Sequence, residues 1–206
     1  MDFDFDYDHY GVDYDYYYDG QNEVQYFNPV IKTENDIVMF DPDINVDYYP
    51  SPLMAHAWWN NDDVGYVVNS LYHTPSKVAW IGDFTDSEET KEITDTDDIY
   101  ELAFWEDEKP EIKAIEESKL LLNGKFLVNH TKKVYLDCDA YQKRSIDKNG
   151  RCIHPPILTA IGSNELFHGD YQGINADVVG NWCWDTISVE DSIPVGYKPV
   201  EYTFQN

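Results

Sequence analysis

Residues 125–137 read KFLVNHTKKVYLD, and this stretch determines the kind of sheet that the chain can build. Two short runs rich in apolar residues, 125–129 and 134–137, lie on either side of the polar segment His130-Thr131-Lys132-Lys133. Two β-prone runs around a polar turn are typical of a β-hairpin. The stretch therefore predicts two neighbouring antiparallel strands.

Further strands are predicted on both sides of this hairpin. Residues 78–84, 157–161 and 182–189 form apolar runs of strand length, and residues 202–204 are a candidate edge strand. The chain shows no internal repeat and no regular alternation of strand and helix, which would indicate a parallel sheet. These strands therefore predict an α+β fold with a small, mainly antiparallel sheet.

Two to three helices are expected to accompany the sheet. Ser51-Pro52 is a helix-start signal, which predicts a helix over residues 52–59. A second helix is expected from Asn61 or Asp62 through Tyr72; its inward face carries Val64, Val67, Val68 and Leu71. Thr94-Asp95 is a candidate cap for a third helix, with Ile99, Leu102 and Ala103 inward.

The net charge is the most unusual property of the chain. Forty acidic residues against fourteen basic ones give −26, with an isoelectric point of about 4.2. Residues 1–108 carry a net charge of −24, whereas residues 109–151 carry +4. Nucleic-acid backbones and anionic membranes are bound by basic surfaces, so we expect neither as a direct partner. Without a signal-peptide pattern or a long apolar run, the chain is expected in the cytoplasm, that of the host cell if a phage encodes it.

The first twenty residues alternate aspartate with aromatic residues. This period-two pattern is that of a strand with one anionic and one aromatic face. Aspartate is a poor strand former, so we expect a partly disordered arm. Pro29, Pro42 and Pro50 punctuate residues 21–50, which are predicted to be irregular. The predicted organisation is an acidic, aromatic arm over residues 1–50 and a single α+β domain over residues 51–206.

Several short motifs follow the arm in a fixed order. They are LMAH at 53–56 with Trp58 and Trp59, VAWIGDF at 78–84, NHTKKVY at 129–135, HPPILTA at 154–160, GDYQG at 169–173 and VGNW at 179–182. On these motifs, residues 53–204 resemble a family of uncharacterised proteins from phages and bacterial genomes. The resemblance implies a common scaffold but no activity, and the arm lies outside it. The chain departs from the family at residues 162–168. Members of the family carry a glycine-rich stretch that includes an arginine there, whereas this chain reads GSNELFH.

Five polar residues in these motifs are candidates for a catalytic pocket, namely Asp83, His130, Lys132, His154 and Asp170. Histidine and aspartate together supply general acid–base catalysis. The same segments are rich in turn-forming residues, however, and structural turns are the simpler interpretation. The sequence therefore favours a binding protein over an enzyme.

Neither a metal site nor a cofactor site is predicted. Cys138, Cys152, His154 and His168 lack the paired spacing of a structural zinc site. One segment begins like a calcium-binding EF-hand loop, but Val46 stands where that loop needs glycine. No phosphate-binding loop or dinucleotide fingerprint is present, and the three cysteines are expected to be thiols.

Three hypotheses for the function remain open. The preferred one is an acidic inhibitor or adaptor that occupies a basic cleft of a host or phage protein, such as a nucleic-acid-binding protein. The alternatives are an enzyme of unknown class, and an accessory virion or structural protein that binds by strand addition. The residues expected to contact the partner are Asp2, Asp4, Asp6, Asp8, Asp13, Asp15, Tyr14, Tyr16 and Tyr18.

A nucleic-acid mimic must match the spacing of phosphates. Aspartates on one face of an extended strand lie about 6.6 Å apart, because a strand rises about 3.3 Å per residue. One DNA strand presents a phosphate about every 3.4 Å along the axis. The arm alone reaches about half of that density, so mimicry requires the acidic residues of 83–108 as well.

Overall fold

A mixed eight-stranded β-sheet lies at the centre of the structure, a computed structural model. It describes residues 27–33, 37–39, 53, 62–82, 85, 88–94, 122–148, 152–153, 155–162 and 171–205. The strands are β1 (Phe27–Lys32), β2 (Ile37–Met39), β3 (Ser76–Gly82), β4 (Phe126–Asn129), β5 (Val134–Asp137), β6 (Ala160–Ile161), β7 (Thr186–Glu190) and β8 (Lys198–Pro199). Their order is β2-β1-β3-β7-β4-β5-β8, and β6 pairs with β3. Only β3–β6 and β5–β8 are parallel pairs, so the sheet is mainly antiparallel, as predicted.

The predicted hairpin is confirmed as β4 and β5. The antiparallel register runs from Phe126 opposite Asp137 to Asn129 opposite Val134. The loop closes on Lys133, whose backbone φ of 54° lies in the left-handed region. Because L-residues rarely adopt that conformation, the loop needs other contacts to hold it.

Strand β3 confirms the predicted buried strand, displaced by two residues toward the N-terminus. One edge of β3 pairs with the whole of β1, from Phe27 opposite Gly82 to Lys32 opposite Lys77. The other edge is divided, because its first residues pair with β7 and Trp80 pairs with Ala160 of β6. All residues of β3 except Lys77 are buried.

Three α-helices are described, namely α1 (Asp62–Ser70), α2 (Glu88–Thr94) and α3 (Cys138–Ser145). Helix α1 confirms the second predicted helix, and its four predicted inward residues are each at most 2% exposed. Helix α3 was not predicted. It begins directly after β5, where the Asp137 carboxylate accepts the Ala140 N–H at 2.9 Å and caps the first turn.

The two faces of the sheet pack against different neighbours. The larger core joins the inward residues of α1 and Tyr141 of α3 to Trp80 and Trp182. A smaller cluster on the other face contains Val30, Ala79, Ile81 and Trp184. The indole N–H of Trp184 donates to Thr90 Oγ1 of α2 at 3.2 Å, which places α2 beside the smaller cluster.

Two glycines in the recognised motifs have a clear structural reason. Gly180 has a φ of +76°, and a Cβ there would lie 2.4 Å from the carbonyl oxygen of Ala160. A Cβ on Gly173 would lie 2.0 Å from the carbonyl oxygen of Gln205. Both positions therefore require glycine because the backbone of a distant segment passes directly over them.

Several expected elements take another form. Residues 157–161 were expected as a strand, but Pro155–Thr159 is a 3-10 helix and only Ala160–Ile161 is extended. Residues 182–184 form turns before β7, and Trp184 has a φ of 56°. Residues 202–204 are not a strand, and the final strand is instead β8.

The prediction that residues 21–50 are irregular is wrong for two segments. Both β1 and β2 lie there, and Phe27 and Val30 are fully buried. The sheet therefore begins within the segment that was assigned to the arm. Pro29 is tolerated because β2 pairs with β1 only from Val30 onward, so no bond to β2 is lost at the proline.

Other predictions fall on residues outside the described ranges. These include the arm before Phe27 and the helix expected over 52–59, of which only the buried Leu53 is described. The third expected helix also lies outside them, although Thr94 ends α2. None of the described helices has the length and apolar character needed to cross a bilayer.

Candidate functional site

The loop between β4 and β5 is held against β7 by its own polar side chains. Asn129 is fully buried, and its Nδ2 donates to Asp185 Oδ2 at 2.7 Å. Asn129 Oδ1 accepts the Lys132 N–H at 2.8 Å, and the Lys132 ammonium pairs with the same Asp185 carboxylate. The Thr186 N–H donates to Thr131 Oγ1 at 2.9 Å. These contacts give the motif a structural role as an anchored turn.

His130, which lies in this loop, has hydrogen-bond partners at both ring nitrogens. Nδ1 is 3.1 Å from the Tyr197 hydroxyl, and Nε2 is 2.8 Å from Ser188 Oγ. Ser188 donates its only hydroxyl proton to Glu190 Oε1 at 2.7 Å. His130 Nε2 must therefore donate to Ser188, and in the neutral ring Nδ1 accepts from Tyr197.

This direction of hydrogen bonding is the reverse of that in a serine nucleophile. An activated serine donates its proton to the histidine, which acts as the base. Here the histidine donates to the serine, and the serine side chain is fully buried. These hydrogen bonds therefore position β4 on β7. Ser188 is not available to a substrate as a nucleophile.

A second polar cluster lies at the opposite end of β7. His73, in the turn after α1, places Nδ1 2.8 Å from Glu190 Oε2 and Nε2 3.1 Å from Asp191 Oδ2. The Tyr72 hydroxyl donates to Asp191 Oδ2 at 2.7 Å, and Lys125 forms an ion pair with the same carboxylate. We call these five side chains the His73 latch.

The pKa values within the His73 latch are shifted by its own charges. The hydrogen bond to Glu190 is the main cause that raises the pKa of His73 above 6.5, with Asp191 adding to it. The Lys125 ammonium is the main cause that lowers the pKa of Asp191 to about 2. The same pair raises the pKa of Lys125. Two cations and two carboxylates therefore balance when His73 is protonated.

The His73 latch ties together segments that are far apart in sequence. His73 has a φ of 53°, and its N–H donates to the Val189 carbonyl at 3.0 Å. The strained turn is thus held by a backbone bond and by two carboxylates. Both carboxylates are already engaged, so the arrangement suits a pH-dependent structural contact better than catalysis.

Most of the predicted site residues fall outside the part of the chain that the structure describes. His130 is placed as given above, whereas Asp83, His154 and Asp170 lie outside the described residues. The proposed partner-contacting aspartates and tyrosines of the arm also lie outside them. Within the described ranges, no group of three or more His, Cys, Asp or Glu side chains is arranged to hold a metal ion.

The three cysteines are thiols, as predicted. Cys138 and Cys152 are buried, and this burial raises the pKa of each to about 12. A thiol with so high a pKa is almost entirely protonated at neutral pH and is a poor nucleophile. Cys183 is only partly buried. The two buried thiols therefore serve the core rather than chemistry.

The sequence analysis missed the His73 latch. Its local signals are weak, because Tyr72-His73 follows a helix and Glu190-Asp191 follows a strand without any recognisable motif. The hydrogen-bonded partners His73 and Asp191 are 118 positions apart. Only the register of β7 against the turn after α1 brings them together.

The His73 latch and the anchored turn between β4 and β5 account for the polar contacts around β7, but neither indicates a particular reaction. Comparisons of the chain with protein-family models, with curated proteins and with solved structures found no match.

Proposed function

We propose that the chain is a binding protein whose acidic segments occupy a basic surface of a partner protein. The observation that carries this proposal is the distribution of charge between the described fold and the rest of the chain. The described residues contain thirteen acidic and ten basic side chains, a net charge of −3. The whole chain has a net charge of −26, so nearly all of the acid excess lies elsewhere.

This distribution argues against a general solubilising role for the acidic residues. Charge that serves solubility would be spread over the surface of the fold. Here the described part of the fold is almost balanced, whereas residues 1–20 contain seven aspartates and no base. Tyrosine is enriched at protein interfaces, and Tyr14, Tyr16 and Tyr18 accompany these aspartates. The combination suits a partner with a basic cleft.

A more specific form of the proposal concerns the identity of the partner. A cleft that binds nucleic acid is basic and extended, so it would accept a chain of aspartates spaced along one face. A host or phage nucleic-acid-binding protein in the cytoplasm is the class of partner that we infer. The chain itself should not retard DNA or RNA in a gel at physiological salt.

The enzyme alternative draws less support. The hydrogen bonds of His130 run in the wrong direction for activation of Ser188. Lys132 is paired with Asp185, which serves the hairpin turn. The contacts of His130 and Lys132 are therefore explained by the structural roles of these residues in the sheet and its hairpin loop.

The experiment compares two variants with the same change in charge. In the arm variant, Asp2, Asp4, Asp6 and Asp8 are replaced by Asn. In the control variant, four exposed acids of the fold are neutralised: Glu88→Gln, Glu92→Gln, Asp177→Asn and Glu201→Gln. Each full-length protein is immobilised and used to capture proteins from host lysate, and the captured partner is then titrated at two salt concentrations.

We expect the arm variant to bind the partner more weakly, by about fourfold to nearly a thousandfold, if each of four exposed ion pairs contributes about 0.2–1 kcal/mol. The control variant should bind almost as tightly as the unsubstituted chain. The difference should shrink at high salt, where exposed charges are screened. Equal losses in both variants, or binding insensitive to salt, would contradict the proposal.

A further inference from the structure

An asparagine–glycine pair lies in the turn that precedes β4. Asn123 and Gly124 are the two central residues of this turn, which is closed by a hydrogen bond from the Lys125 N–H to the Leu122 carbonyl at 3.0 Å. Gly124 has a φ of +67°, a backbone conformation that favours glycine. Asn123 and Gly124 are both exposed, so water reaches the pair.

Such a pair is chemically reactive because asparagine can lose its side-chain amide. The backbone nitrogen of the next residue gives up its proton to base and attacks the asparagine Cγ. A C–N bond forms, and the Cγ–Nδ2 bond breaks as the leaving nitrogen takes up a proton and departs as ammonia. Water then opens the cyclic imide at either carbonyl, which gives aspartate or isoaspartate. Glycine makes the attack easiest, since it has no Cβ to hinder the nitrogen.

In the folded chain the attacking nitrogen is engaged by a carboxylate. The Gly124 N–H donates to Asp139 Oδ1 at 2.8 Å. Asp139 lies in the first turn of α3, which the Asp137 side chain caps. The carboxylate accepts the proton that the reaction must remove, and its negative charge disfavours an anion beside it. Steric shielding contributes little, because a Cβ on Gly124 would meet no atom of the described residues within 4 Å.

We propose that Asn123 is a latent deamidation site and that Asp139 keeps it closed in the folded protein. Gly124 and Asp139 are 15 positions apart, so their hydrogen bond exists only while the start of α3 is docked beside the turn. Opening of this end of the fold frees the Gly124 N–H and starts the reaction. Because the ammonia is lost, the amount of product records how long the start of α3 has been open.

The products alter the surroundings of the His73 latch. An isoaspartate at position 123 adds a methylene to the backbone two residues before Lys125. The Lys125 ammonium pairs with Asp191, and its carbonyl accepts the Cys138 N–H at 3.1 Å. Either product also adds a carboxylate near that of Asp139, and like charges repel. Deamidation therefore loosens both the His73 latch and the junction with α3.

The test removes the protecting carboxylate by Asp139→Ala. The matched control is Asp177→Ala, which removes the same charge from another exposed aspartate in the first turn of a helix. Each full-length protein is incubated at mildly alkaline pH, and peptide mapping by mass spectrometry gives the deamidation rates at Asn123 and Asn149. Asn149-Gly150 is the other Asn-Gly pair in the sequence and serves as an internal standard.

We expect Asp139→Ala to speed the deamidation of Asn123 about tenfold, the lower end of the effect of a hydrogen bond to a charged acceptor. The rate at Asn149 should stay the same, and Asp177→Ala should change neither rate. In denaturant, Asn123 should react equally fast in all three proteins, because the hydrogen bond to Asp139 is then absent.

Hydrogen exchange gives a second measurement of the same protection. Base-catalysed exchange of the Gly124 amide passes through the same nitrogen anion as deamidation, so Asp139 should slow both. In the unsubstituted protein the Gly124 amide should therefore exchange slowly in spite of its exposed position. Asp139→Ala should raise its exchange rate, followed by NMR, by about the same factor as the deamidation rate.

Three results would overturn the proposal. The first is deamidation of Asn123 as fast in the native protein as in denaturant. The second is an equal acceleration by Asp139→Ala and Asp177→Ala. The third is a Gly124 amide that exchanges without protection in the unsubstituted protein. If Asp139→Ala fails to fold, the first and third measurements decide, because both use the unsubstituted chain. The test needs no partner, so its outcome is independent of the proposed function.

Discussion

Replacing Asn129 by aspartate tests the anchored hairpin most directly. The substitution keeps the shape of the side chain but removes the Nδ2 donor that lies 2.7 Å from Asp185 Oδ2. It also places a second carboxylate against that of Asp185, at a position that is fully buried. The acceptor for the Lys132 N–H is retained. The change therefore isolates the contact between the hairpin and the start of β7.

The expected loss of stability follows from the hydrogen bond. A hydrogen bond to a charged group contributes about 1.5–3 kcal/mol, and the repulsion between two carboxylates adds to its loss. We expect the free energy of unfolding to fall by about 2–4 kcal/mol at pH 7. For a chain of this size that corresponds to a decrease in Tm of roughly 5–15 °C.

The loss should depend on pH in a defined direction. The carboxylate of Asp185 raises the pKa of the introduced carboxyl in the folded state above that of the unfolded chain. The penalty is therefore present at neutral pH and is relieved as the pH falls through the raised pKa. Urea denaturation followed by tryptophan fluorescence at pH 7 and pH 5 measures both effects.

Asn181→Asp is the matched control. Asn181 is exposed, and the substitution adds the same charge without a buried partner. It should change the free energy of unfolding by less than about 0.5 kcal/mol. If Asn129→Asp destabilised the protein no more than Asn181→Asp did, the assignment of Asn129 as the anchor of the hairpin would be wrong.

Three further outcomes are expected. Deleting residues 1–20 should leave Tm within a few degrees of the full chain, whereas deleting residues 1–50 should abolish cooperative thermal unfolding. The longer deletion removes Phe27, Val30 and Ile31, and burying three such side chains contributes about 5–9 kcal/mol. His73→Gln should lower Tm more at pH 6 than at pH 9. The raised pKa of His73 means that its protonated ring stabilises the folded state fully below pH 6.5, and this stabilisation is lost as the pH rises through the raised pKa. In the native protein at pH 8, mass spectrometry should find Cys183 alkylated long before the two buried thiols, and all three should react in denaturant.

The elements that the sequence predicted well are those with a strong local pattern. The hairpin has two apolar runs around a polar turn, and α1 repeats its valines at helical spacing. The apolar run Ile157-Leu158 was misread because a buried run of strand length looks the same in a 3-10 helix. Both residues are fully buried, so their hydrophobicity reports burial and not backbone conformation.

Other elements depend on partners that are distant in sequence. Strand β1 contains a proline, and it is a strand because the register of β3 accepts it. The same holds for the His73 latch, whose side chains come from three separate segments of the chain. Local sequence patterns do not predict such pairings, because they depend on the order of strands in the sheet. Of the candidate catalytic residues, the structure describes His130 and Lys132, and the hydrogen bonds of the His130 ring come from β7 and the segment before β8.

The position of β7 has a consequence for how the chain folds during synthesis. Among the described strands, β7 alone joins β2-β1-β3 to β4-β5-β8, and it is made from residues 186–190 of a chain of 206. A ribosome must therefore produce the chain as far as residue 190 before the two halves can pair. Until then the edge of β3 that β7 will cover stays open, and unpaired strand edges promote association with other chains. Because its defining contacts are non-local, we expect the protein to fold slowly and to require protection from aggregation until β7 has been synthesised.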